Sequence, residues 1–110
     1  MPQFVVVLRD SGSFPSDISA EEIQDIIQKY GEWIQTMGGR GEKLRDGEGR
    51  IITRDRERVT VTDGPYAESK EIVGGYFVVE AESYDDVVRH CHASPHLEYG
   101  SIEVRQIEQI

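Results

Sequence analysis

The side chains best suited to moving protons near neutral pH are histidine and carboxylates, and here His96 and Asp63 both stand where loop meets strand. His96 precedes the last strand-like run, so its loop can approach the segment that Asp63 opens. That makes His96 a general acid/base candidate. Asp63 begins Asp63-Gly64-Pro65, where it is either a general base or the residue that bonds back to the turn backbone. Turn-making is the simpler role, because an aspartate before Gly-Pro already has a local job. The same loop continues as Ala67-Glu68-Ser69-Lys70-Glu71, placing Glu68, Lys70 and Glu71 as ligand contacts or as exposed charges worth under about 1 kcal/mol each. Arg105 lies in the alternating run Ile102-Glu103-Val104-Arg105. If Ile102 and Val104 face the helices, Arg105 points the other way, where a covered charge needs a partner. Glu103, Asp63 or Glu71 would serve, or an anionic ligand held by its planar fork. His90, His92 and His96 do not make a metal site, since helical residues two apart diverge and Pro95 interrupts the turn. No cofactor is implied: the chain has no phosphate-cradling glycine loop, no Ser-His-Asp order and no Cys-X-X-Cys.

These residues need elements to hold them. Phe4 to Leu8 is an unbroken apolar run, which predicts a strand covered on both faces, followed by a polar loop from Arg9 to Ser16. Ser19 with Glu22 forms a capping box, and Ile18 with Ile23 is placed as a hydrophobic staple. Ile23, Ile26, Ile27, Tyr30, Ile34 and Met37 then recur at helical spacing up to Gly38-Gly39. A weak strand over Gly41 to Leu44 is followed by a hairpin, Ile51 to Thr53 and Arg58 to Thr62, around the mixed-charge Arg54 to Glu57 turn; its second arm alternates as a half-buried strand does. Tyr76 to Ala81 is again apolar on both faces. Ser83 and Asp86 cap a second helix with Tyr84, Val87, Val88 and Cys91 as its stripe, and Cys91 reads as a core thiol. Ser101 to Ile107 is the final strand.

This order, β-α-β, an inserted hairpin, then β-α-β, predicts one α+β domain over residues 1–110 on the ferredoxin-like split βαβ plan. Both helices cover one sheet face. The two-sided apolar strands then need a cover on the other, and a homodimer packing sheet against sheet is the simplest one. A formal net charge of -9 argues against nucleic acid as a partner, and no apolar run reaches membrane-spanning length. The start of the chain reads as a strand and not as a signal peptide, and one cysteine allows no internal disulfide, so the expected location is cytoplasmic.

Thr62-Asp63-Gly64-Pro65-Tyr66, Ala67-Glu68-Ser69-Lys70-Glu71, Gly74-Gly75-Tyr76 and Glu103-Val104-Arg105 together resemble the YCII-related family, in its DGPF-type branch. Tyr66 stands where the pattern has phenylalanine, and Ser69 where it has threonine. The resemblance implies a dimeric α+β barrel and a pocket where the motif loop meets the C-terminal strand. It does not imply one reaction: the dehydrochlorinase-like lyase activity with a His-Asp pair belongs to a branch whose histidine has no aligned counterpart here. The expectation is a protein that binds a small polar or anionic molecule, with lyase or other acid/base chemistry through His96 and Asp63. The alternative is a non-enzymatic interaction module, such as a transcription-associated accessory protein, which rests on family association alone.

Overall fold

A computed structural model describes residues 1–10, 18–45, 47–64 and 72–109 of the protein. Strand β1 (Gln3–Asp10) is followed by α1 (Ala20–Met37), β2 (Arg40–Lys43), β3 (Arg50–Asp55), β4 (Arg58–Asp63), β5 (Ile72–Glu80), α2 (Tyr84–Cys91), a 3₁₀ turn at Pro95–Glu98 and β6 (Gly100–Gln106). The main sheet has the order β2-β5-β1-β6, antiparallel throughout, while among the described residues β3 and β4 pair only with each other. This is the ferredoxin-like α+β fold with an inserted hairpin. Among the described residues no helix is long and apolar enough to cross a membrane.

Strand alternation decides what each face of β1 and β5 meets. Phe4, Val6, Phe77 and Val79 are buried beneath the helices with Trp33, Ala81, Val87 and Cys91. Leu8, Ile102 and Val104 pack at the margin of this core. Val5, Val7 and Val78 point to the opposite face and are half-buried, and Tyr76 beside them is exposed. The sheet is therefore apolar on both sides near its centre, as the unbroken runs predict.

The caps read from the sequence form. The Ser19 side chain accepts the Glu22 N–H at 3.1 Å, and Ser83 accepts that of Asp86 at 3.3 Å. Gly38 closes α1 in the left-handed region, φ 67°, where a side chain would be strained. The apolar stripe of α1 needs a correction. Ile23 and Ile27 are exposed, whereas Trp33, at the edge of the same face and not among the expected stripe residues, is the buried residue of the helix. Trp33 sits where α1 crosses the sheet: its ring meets Phe77 edge-on at 5.2 Å, and its indole N–H donates to the His90 carbonyl at 3.0 Å. Truncating a buried aromatic of this kind costs roughly 3–5 kcal/mol.

Two further expectations change. Arg9 and Asp10 continue β1 instead of starting a loop, because both pair across to β5 and β6. Strand β4 is exposed along its whole length and is not half-buried. Its apolar residues Val59 and Val61 lie opposite Arg54 and Ile52 on one side of a two-stranded ribbon that no main-sheet strand pairs with.

Candidate functional site

The centre that can move a proton lies on the helix side of the sheet, at the end where β1 stops. Alternation carries the side chains of Phe4, Val6 and Leu8 toward the core, and Asp10 continues that series. Opposite it, the β1–β5 register slips between Leu8 and Arg9, so that Gly74 is an extra residue in β5. A Cβ on Gly74 would overlap the Asp10 carboxylate, so this glycine makes room for it. Gly100 does the same on the other flank, where a Cβ would run into the Arg9 carbonyl and stand 3.0 Å from His96 Nε2. Gly74 thus clears space for the Asp10 carboxylate, and Gly100 clears space beside the imidazole.

His96 enters that space from the 3₁₀ turn and is 2% exposed. Ser94 caps the turn by accepting the His96 backbone N–H at 3.1 Å, which fixes where the ring leaves the chain. Nε2 is 2.8 Å from the carbonyl oxygen of Arg9 and 3.9 Å from Asp10 Oδ1. Nδ1 is 2.8 Å from the hydroxyl of Tyr30, which α1 delivers from above. A carbonyl can only accept, so the neutral imidazole carries its proton on Nε2 and donates it to Arg9. Nδ1 is left as the acceptor, and Tyr30 donates to it. Burial, and then the negative charge of Asp10, push the Tyr30 phenol up to about 12. Tyr99 and Glu98 act in the same direction. Tyr30 therefore holds its proton at neutral pH.

The other sequence candidates are placed elsewhere. Arg105 is exposed on the helix-free face, beside Val5 in the register, so it does not share a face with His96. Glu103, expected as a partner of Arg105, is held instead by Arg9, Nη2 to Oε1 2.6 Å and Nε to Oε1 3.1 Å. Arg9 and Glu103 are diagonal neighbours on adjacent strands, within reach of two long side chains. The Arg9 hydrogen bond lowers the Glu103 carboxyl below its ordinary value against the opposing effect of burial; the charges of Arg9 and Arg105 add to the lowering. Asp63 ends β4 with its side chain 92% exposed and faces Arg50 across the hairpin, Oδ1 to Nη1 3.4 Å. Glu68, Lys70 and Glu71 lie outside the described residues.

Asp10 lies beyond the first strand as the apolar run Phe4 to Leu8 defines it, so that run alone does not single it out. The signal was present: Phe4, Val6, Leu8 and Asp10 are one continued alternation. Tyr30 belongs by spacing to the apolar stripe, and nothing local marks its hydroxyl as the partner of a histidine 66 residues away. Among the described residues no His, Cys, Asp or Glu side chains cluster as metal binding would require. Cys91 is buried in the core, and burial raises its thiol. A shallow groove of about 350 Å³ lies nearby, lined by Lys29, Glu32, Trp33, Thr36, Ala93 and Pro95. It contains none of Asp10, Tyr30 or His96.

Fold and site together define a ferredoxin-like α+β protein with a buried histidine bridging the first strand and the first helix. The chain belongs to the YCII-related family: the family model for the YCII-related domain matches residues 15–110. No curated protein matches the sequence. Among solved structures it is similar to the crystal structure of At3g17210 from Arabidopsis thaliana, at 14% identity over 100% of this chain and 96% of that one, with a TM-score of 0.43.

Proposed function

We propose that this protein binds a small polar or anionic molecule and handles a proton on it, as a lyase or another acid/base enzyme would, with His96 at the centre of the site. The observation that carries this reading is a 2% exposed imidazole with both nitrogens in 2.8 Å contacts, one to the Tyr30 hydroxyl and one to the Arg9 carbonyl, and a carboxylate close by. Such an arrangement can take up a proton and stabilise the imidazolium that results. Asp10 is the carboxylate partner in this proposal. The segment carrying Glu68, Lys70 and Glu71 supplies ligand contacts, because it leads directly into Ile72, the β5 partner of Asp10. Asp63 opens that segment. Arg105 serves on the other face, where Val5, Val7 and Val78 favour a homodimer packed sheet against sheet.

A thermal-shift screen of small polar and carboxylate-bearing compounds tests this. A ligand is expected to raise the Tm of the wild type by several degrees, and Asp10→Asn is expected to abolish the shift. Asp63→Asn in parallel decides whether Asp63 belongs to the same site. If no compound shifts the Tm, the binding reading fails.

One observation favours a second reading, a non-enzymatic interaction module. The β3–β4 ribbon exposes Ile52 at 68%, Val61 at 59% and Val59 at 50%, and isolated two-stranded ribbons are marginal without a surface to pack on.

A further inference from the structure

We infer that Tyr30 is the group of this centre that meets a ligand, with His96 behind it as its proton acceptor; the inference rests on the acid/base reading above and deepens it. His96 has no free position to offer. Its Nε2–H is given to the Arg9 carbonyl at 2.8 Å, its Nδ1 lone pair is taken by Tyr30 at 2.8 Å, and the ring is 2% exposed. Tyr30 as a residue is half-buried where His96 is buried, so of the two side chains it is the one nearer solvent.

The proton path follows from the same contacts. When the Tyr30 oxygen accepts a proton from a ligand, or forms a bond to an electrophilic centre, its own proton passes to Nδ1 of His96. The product is an imidazolium donating from Nε2 to Arg9 and from Nδ1 to Tyr30, with the Asp10 carboxylate 3.9 Å away to offset its charge. When Tyr30 has only exchanged protons, return of that proton to the leaving group or to water restores the starting state; when its oxygen has bonded to an electrophile, the proton passes on to water and the phenol stays modified. Among the described residues, the titratable groups that act on Tyr30 are Asp10 from β1 and Glu98 and Tyr99 at the 3₁₀ turn. Because two of these are carboxylates, the ligand group that meets Tyr30 is not an anion; a neutral carbon or oxygen acid or a neutral electrophile fits there.

Phenylmethanesulfonyl fluoride is a neutral electrophile suited to the test. The Tyr30 oxygen attacks sulfur, the S–F bond breaks, fluoride leaves, and the phenol proton goes to Nδ1 and on to water. Peptide mass spectrometry then ranks the tyrosines. Exposure alone would favour Tyr84 at 46% and Tyr76 at 38% over Tyr30, so the expected result inverts that order, with Tyr30 labelled fastest by about a hundredfold. His96→Gln, checked for folding by circular dichroism, is expected to bring Tyr30 down to the rate of Tyr76. Labelling of Tyr76 or Tyr84 as fast as Tyr30, or a Tyr30 rate unchanged in His96→Gln, overturns the inference. If His96→Gln does not fold, ¹⁵N spectra of the wild-type imidazole decide: a proton on Nε2 supports the relay, and a proton on Nδ1 removes it. A ligand screen that fails while Tyr30 labels fast sinks the binding reading alone. A successful screen beside slow Tyr30 labelling sinks this inference alone.

Discussion

At the scale of single residues, the glycine beside His96 carries the sharpest expectation. Gly100 has no room for a methyl group against the Arg9 carbonyl, whereas a Cβ on Gly31 in α1 would meet nothing within 4 Å. Gly100→Ala is therefore expected to cost about 2 kcal/mol or more in urea unfolding, and Gly31→Ala to gain about 0.5–1 kcal/mol by helix propensity. Equal effects of the two would contradict the packing described for the site. The phenol of Tyr30 gives a pH signature. Its folded value, about 12, lies above the ordinary 10.0, so the unfolded chain loses this proton first as pH rises. The stability it contributes is complete below about pH 10 and is lost on approach to 12. Thermal melts of the wild type are expected to fall more steeply over that window than those of Tyr30→Phe. Glu103 works in the opposite direction: its lowered carboxyl contributes above its ordinary range, and that contribution is lost as pH falls through the folded value.

At the scale of elements, the hairpin and the first helix show where local pattern and tertiary environment part. The β3–β4 ribbon forms as its alternation predicts, with Ile52 opposite Val61 and Arg54 opposite Val59, and Gly64 donating to the Gly49 carbonyl at 3.0 Å to close its open end. Nothing in that alternation says whether the apolar side is covered. Ile52→Lys combined with Val61→Lys is expected to change the unfolding free energy of the chain by less than about 1 kcal/mol, since exposed positions tolerate charge. A larger loss, measured in urea, would mean that the ribbon packs on a surface in solution. In α1 the spacing selected Ile23 and Ile27, but the helix reaches the sheet around Trp33 and leaves its first turns beyond it. Amphipathic periodicity gives the direction of a helix face; the crossing point decides which residues of that face are buried.

At the scale of the whole molecule, the sheet has one side built by the helices and another bearing Val5, Val7, Val78 and Tyr76 around the Arg9–Glu103 pair. A second copy of the chain covering that side is the arrangement we propose, and sedimentation tests it. The wild type is expected to run as a dimer at micromolar concentration, and Val7→Asp, placed between Tyr76 and Glu103 in the register, to run as a monomer. A wild-type monomer under those conditions removes the proposal. The element order, the two serine caps, the glycine stop of α1 and the two-sided apolar strands were all legible in the sequence, because each depends on neighbours within about one turn or one strand. The partner of His96 was not. Asp10, Tyr30, Gly74 and Gly100 are distributed over the chain, and nothing in their local sequence brings them together: Asp10 reads as a loop residue and Tyr30 as a stripe residue. Only the antiparallel pairing of β1 with both β5 and β6, with α1 laid across them, brings a phenol, an imidazole and a carboxylate together, because side-chain hydrogen bonding acts over a few ångströms of space and leaves no periodic trace along the chain.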